Sequence, residues 1–207
     1  MVNTHGAFFM IDINLLKHCV SVDIETTGTD ERVHGIISIG AKLFTGDEDE
    51  FYRELVIPDY CEYDPIALRV NGESEAALRA RTSPEYATPL QALLELFEFC
   101  SKHEVGVIIG KNPGFDSRYL KHVWRLNGGN EDNFNKILTY RVLDWSSFII
   151  PLLLYKGYTI PIEGFGNVDL ARILKIPDEA QPHIAINGAR YNVNCTKHVL
   201  KMYDESS

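Results

Sequence analysis

A chain of 207 residues, 45% hydrophobic and 24% charged, can bury a sizeable core, and no repeat, low-complexity tract or Pro/Gly/Ser linker divides it. The formal net charge of −9 argues against gripping a long nucleic-acid backbone through lysine and arginine, since such binding is driven by displaced counterions. It leaves room for a short single-stranded end held through divalent cations or a local basic cluster.

One domain spanning 1–207 is expected, with its motif-bearing core at about 18–203. No apolar run reaches the roughly 18 residues that a membrane-spanning helix needs; the longest, 148–155, is short and contains Pro151. No positively charged segment precedes the apolar stretch at 7–11, so a cytoplasmic protein with no membrane partner is expected. Cys19, Cys61, Cys100 and Cys195 show no C-x-x-C spacing, which disfavours a zinc ribbon or a disulfide scaffold and leaves four packing thiols.

In chain order, residues 18–24 are rich in Val and Ile and read as a buried strand. A second β-like run covers 35–44 and a third 51–57, with the acidic turn at 46–50 as a hairpin connection. Residues 64–81 read as a loop with short helical pieces. The stretch 89–103 carries Leu90, Leu93, Leu94, Phe97 and Cys100 at helical spacing. A short, wholly apolar strand follows at 105–110, then a helix at 116–127 with Leu120, Val123 and Trp124 on one side. A strand near 138–143 leads into a helix at 145–155 that Pro151 should bend or interrupt. A short helix at 167–174 and a long one at 184–203 complete the chain. The order implies an α/β domain with a mixed sheet, its hairpin part at one edge and helices on both faces.

Asp23 and Glu25 stand two residues apart at the end of an apolar strand, so their carboxylates point to the same face. Two like charges that close call for a compensating cation, and hard oxygen donors suit magnesium or manganese. A solvated acidic pair at a sheet edge would look the same in sequence. Asp116 falls in the first turn of a predicted helix, where the macrodipole favours a negative charge whether or not it binds anything. Lys111, Arg118, Lys121 and Arg125 could form a basic face beside it, or a merely solvated one.

Asp23-Ile-Glu25-Thr26-Thr27-Gly28, followed by Ile37-Ser-Ile-Gly40-Ala41, resembles the first signature of the DEDDh (DnaQ-like) 3′–5′ exonucleases. That group includes polymerase proofreading subunits, oligoribonuclease and ribonuclease T. Ala67-Leu-Arg-Val-Asn71-Gly72 is similar to the loop that follows the third strand in these enzymes. Asn112-Pro-Gly-Phe115-Asp116-Ser-Arg-Tyr-Leu120 resembles their N-x-x-F-D-x-x-x-L signature. His183-Ile-Ala185-Ile-Asn187-Gly188-Ala189 is similar to H-x-A-x-x-D-A, with Gly188 where the family has its fourth acid.

The resemblance implies a ribonuclease H-like fold with a central five-stranded mixed sheet. It implies 3′–5′ hydrolysis that releases nucleoside monophosphates from single-stranded DNA or RNA. Two Mg2+ or Mn2+ ions would be held by Asp23, Glu25 and Asp116 in the family's mechanism, or one ion here, where Gly188 removes a ligand. His183 would be the general base, since an imidazole exchanges protons near neutral pH. Thr26, Thr27, Gly28, Asn112 and Phe115 would seat the terminal nucleotide, by stacking that tolerates any base. Glycine offers no side-chain ligand, so impaired activity is expected, and a non-catalytic nucleic-acid-binding protein on the same scaffold is the alternative. Asn187 could turn in as a neutral replacement, although adjacent helical positions point about 100° apart. A homodimer is compatible with the family but specified by nothing in the sequence.

Overall fold

The computed structural model describes residues 16–46, 49–159 and 166–204; the apolar stretch at 7–11 lies outside them. Five strands form one mixed sheet in the order β3-β2-β1-β4-β5. Strands β1 (Cys19–Thr26), β2 (Ile36–Leu43) and β3 (Glu50–Glu54) make an antiparallel meander. Strands β4 (Val107–Gly110) and β5 (Val142–Asp144) add to its other side in parallel.

Alternation along β1 sorts its residues between two layers. Val20, Val22 and Ile24 join the main core with Leu93, Leu96 and Phe97 of helix α3 (Pro89–Lys102) and Leu120 of helix α4 (Pro113–Leu126). Cys19 packs on the other face with Phe44, Ile109 and Val193. Asp23 and Glu25 share the parity of Cys19, so they face helix α8 (Ala185–Asp204), which lies across β1 and β2. Helices α6 (Trp145–Tyr155) and α7 (Asn167–Leu174) support α8 through Trp145, Ile149, Leu170, Leu174, Tyr191 and Cys195. Three small helices, α1 (Pro65–Asn71), α2 (Glu75–Arg79) and α5 (Glu131–Asn135), fill the periphery. Every residue of β2 is buried, as a strand covered on both faces requires. Leu93 and Leu96 are fully enclosed, and each such side chain contributes about 2 kcal/mol by leaving water.

The close seating of α8 has a local cause. Asp23 pairs across the sheet with Gly40, and a Cβ on Gly40 would stand 2.3–2.5 Å from the backbone of Ala185 and Ile186. The absent side chain lets the first turn of α8 rest on the sheet, and the Ala185 N–H points at Ser38 Oγ, 3.4 Å away. Ile37-Ser-Ile-Gly40 is thus a docking surface for the helix as much as a strand.

Several details depart from the expectations. Pro151 neither breaks nor ends its helix, which runs through it and buries Ile149, Leu152 and Leu153, with the proline itself outside. Leu94 is 44% exposed, and Leu96 takes the inner position in its place. The strand expected near 138–143 is only Val142–Asp144, while Leu138 is a core residue of the preceding loop. Helix α5, unforeseen, is capped by Asn130 and anchored by the buried Phe134. Helix α4 starts three residues before Asp116, at Pro113. All four cysteines are buried, and none forms a disulfide among the described residues. No helix of the described residues is long and apolar enough to cross a membrane.

Candidate active site

Parallel pairing between β1 and β4 ends at Val20 and Ile108, so the C-terminal half of β1 projects past its neighbour. The Ile24 N–H, left without a strand acceptor on that side, donates instead to Asp116 Oδ1 at 3.0 Å. That bond sets the Asp116 carboxylate, from the first turn of α4, against the backbone of β1 at the residue between Asp23 and Glu25. Asp116 is 6% exposed. Asp23, Glu25 and Asp116 therefore lie close enough for their charges to act on one another.

Their electrostatics follow from burial and mutual repulsion. Burial raises Asp23 well above the carboxylate range, and Asp116, Glu25 and Glu179 push it further. Glu25 rises to about 7, mainly through burial and then through Glu179. Burial lifts Asp116 to about 8, opposed by hydrogen bonds from its own amide and that of Ile24 and assisted by the Glu25 charge. Among the described residues, no lysine or arginine forms an ion pair with any of these three acids.

The turn after β1 is braced from several directions. Thr26 Oγ1 donates to Gly28 O at 2.6 Å, and the buried Tyr119 hydroxyl donates to the same carbonyl at 2.7 Å. Asn71 Nδ2 donates to Thr26 O at 3.0 Å, which gives the segment at 67–72 its structural purpose. A Cβ on Gly28 would lie 2.3 Å from the His34 ring, which would have to swing aside. Thr27 must leave the set of substrate-binding groups. Its amide bonds Gly35 O, its carbonyl accepts from Asp64, and its fully buried hydroxyl donates to Glu62 O while accepting from Gly35 N–H.

Asn112 is exposed in the left-handed region, φ 52° and ψ 45°, and its carbonyl accepts from Phe115 N–H at 2.9 Å. Phe115 is half-buried, with its ring against Tyr119 and the Arg118 guanidinium over it. Of the four basic residues near Asp116, Arg125 is exposed in the last turn of α4. Lys111 precedes the helix and is partly buried, Arg118 pairs with Glu31 at 2.8 Å, and Lys121 lies 3.8 Å from Glu131.

The C-terminal signature is assembled by α8 and the segment before it. Ala185 rests on Gly40, and Gly188 faces Asp23 so closely that a Cβ there would stand 2.2 Å from Asp23 Oδ2. Asn187 points elsewhere: its Nδ2 donates to Pro182 O at 2.9 Å and its Oδ1 accepts from Arg190 at 3.3 Å, so it does not turn in as a substitute. One turn further on, Asn192 Oδ1 accepts from Lys111 N–H and from the buried Trp145 indole, tying the end of β4 to α6 and α8.

His183 Nδ1 lies 3.4 Å from Glu179 Oε1, and its Nε2 lies 3.0 Å from Gln181 Nε2. An amide nitrogen can only donate, so the consistent tautomer carries its proton on Nδ1, towards Glu179, and keeps a lone pair on Nε2. Glu179 was missed in sequence. It belongs to no motif, and only its position four residues before His183 connects it to the site. Glu25, Glu179 and His183 each offer a ligand atom within 4.8 Å of the others. Oxygen-rich and poor in internal cations, this donor set fits a hard divalent ion of the magnesium or manganese kind.

The architecture is the ribonuclease H-like exonuclease fold. Cell-death related nuclease 4 (CRN-4) shares it at a TM-score of 0.67 and 8% identity, over 90% of this chain and 64% of that one. E. coli exonuclease I in complex with a dT13 oligonucleotide superposes at 0.70 and 15% identity, over 91% of this chain and 42% of the enzyme. S. pombe Pop2p, in its Mg2+- and Mn2+-bound form, superposes at 0.65 and 17% identity, over 94% and 90%. The chain thus spans under two thirds of CRN-4 and under half of exonuclease I. Comparison with curated protein sequences gives no match. A family model described as the 3′–5′ exoribonuclease Rv2179c-like domain matches residues 18–200, and the chain belongs to that family.

Proposed function

We propose that this protein removes nucleoside monophosphates from the 3′ end of single-stranded nucleic acid, with Asp23, Glu25 and Asp116 holding divalent cations and His183 acting as general base. One observation carries the reading: three buried or half-buried carboxylates lie close together at the end of β1, and no lysine or arginine of the described residues pairs with them. Such a cluster is unfavourable by itself and becomes favourable when a cation binds. When bound, the ions supply charge neutralisation at the scissile phosphate and at the leaving 3′-oxygen.

The remaining work falls to this chain's own groups. His183 takes the proton of the attacking water at Nε2, while Glu179 steadies the Nδ1–H side of the ring. Phe115, half-exposed beside Asp116, offers a ring on which a terminal base can stack. Thr26 and Gly28, with Asn112, shape the wall against the terminal sugar. The family description favours RNA; the dT13 complex of exonuclease I shows that the scaffold also accepts DNA in that enzyme.

The test is a 5′-labelled single-stranded RNA of about 20 nucleotides incubated with the chain and Mn2+, beside a DNA of the same sequence and an Asp116→Asn control. A ladder shortening from the 3′ end, abolished in the control, supports the reading. Metal-dependent binding without shortening would favour a binding protein on an exonuclease scaffold, and loss of neither activity nor binding in the control would refute the site.

A further inference from the structure

The side of Asp23 that faces α8 offers no side chain, because position 188 is glycine. The structure shows more than a missing ligand there. Asp23 Oδ2 stands 2.2 Å from the place a Cβ on residue 188 would take, so the carboxylate occupies the space from which α8 would otherwise reach in.

Another acid meets the cluster from a different element. Glu179 lies on the segment between α7 and α8, with its side chain only 10% exposed. Its charge acts on both Asp23 and Glu25, so it borders the same space as the acids of β1. With Glu25 and His183 it forms a group whose ligand atoms all lie within 4.8 Å of one another. Lys111, at the end of β4, is a cation whose charge interacts with Asp144 first and then with Glu179. A largely buried glutamate placed among like charges is an arrangement that a divalent ion would stabilise far more than one half-buried lysine.

We propose that Glu179 supplies the fourth carboxylate of the metal centre, entering from the loop before α8 in place of the side chain that Gly188 lacks. The proposal rests on the metal-dependent reading above. It follows that substitution at position 188 relocates a ligand within the site rather than abolishing the second half of it. Glutamate suits the task because its longer side chain can span from a loop to a point that an aspartate on α8 would reach from directly above the strand. The Nδ1 contact with His183 then joins metal ligand and base, so Glu179 also helps to hold the imidazole ring in place.

The experiment measures metal affinity, not turnover. The full chain, stripped with chelator, is titrated with Mn2+ and followed by electron paramagnetic resonance of the free ion, for the unmodified protein, Glu179→Gln and Asp23→Asn. A 10–100-fold weaker affinity or the loss of one bound ion in Glu179→Gln is expected, comparable with the effect of Asp23→Asn. Unchanged binding in Glu179→Gln with weakened binding in Asp23→Asn would overturn the Glu179 assignment and leave the carboxylate site standing. Unchanged binding in both would overturn the site itself. Should Glu179→Gln fail to fold, Glu179→Asp retains the charge and withdraws the oxygens by about 1.5 Å, one bond length. At least a tenfold weakening is expected there too, and an unchanged affinity overturns the proposal.

Discussion

Removing the Glu25 charge should stabilise the metal-free protein while weakening the proposed metal site. Glu25 rises from 4.5 to about 7 on folding, chiefly through burial and then through Glu179. The folded state therefore holds the proton more tightly than the unfolded chain does, and stability is fully present below about 4.5 and lost as the pH climbs through about 7. An interval of about 2.5 at about 1.36 kcal/mol per pH unit corresponds to about 3 kcal/mol at pH 8. Partial exposure of Glu25 reduces this to about 2 kcal/mol. Glu25→Gln should thus melt roughly 4–8 °C higher than the unmodified chain at pH 8 in chelator, for a protein of this size. At pH 5 the gain should fall below about 1 kcal/mol, because the folded glutamate is then already protonated. Added Mn2+ should reverse the order, since binding stabilises only the protein that retains the site. Scanning calorimetry at both pH values, with and without Mn2+, makes the comparison. A variant no more stable than the unmodified chain at pH 8 in chelator would refute the argument that the carboxylates oppose one another in the fold.

Three further outcomes follow from the same geometry. His183→Ala should lower kcat by about 10²–10⁴ in single-stranded RNA hydrolysis while changing Mn2+ affinity far less; an equal loss of affinity would make His183 a ligand instead of the base. Gly40→Ala should destabilise the protein by at least about 2 kcal/mol in urea unfolding, because the added Cβ meets the Ala185 backbone, which cannot move without lifting α8. Native stability in that variant would show that the helix does not rest on the strand. Gly188→Asp should lower the melting temperature in chelator by crowding Asp23 with another charge, and Mn2+ should recover more than the loss; a higher melting temperature in chelator would contradict the close approach.

Local pattern determined much of this protein. The alternation through Val20, Val22 and Ile24 against Asp23 and Glu25 depends only on the two-residue period of a strand, so the shared face of the two acids was legible at once. Helix α3 was readable from its 3.6-residue spacing, and the motif order implied the ribonuclease H-like scaffold. Proximity across the sequence was not readable, because it depends on where one element stops beside another. Asp116 reaches Ile24 N–H only because β4 ends early and leaves that donor open, 92 positions away in the chain. Thr27 looked like part of a substrate loop, yet tertiary contacts consume every polar group it has. Gly188 looked like a simple deletion until the packing of α8 on Gly40 brought it against Asp23, and Glu179 had no signature at all until the segment before α8 folded it in beside Glu25 and His183. Periodicity is a property of neighbours along the chain; the acidic pocket is a property of strand ends, helix seating and charge brought together through space, and only the folded arrangement decides it.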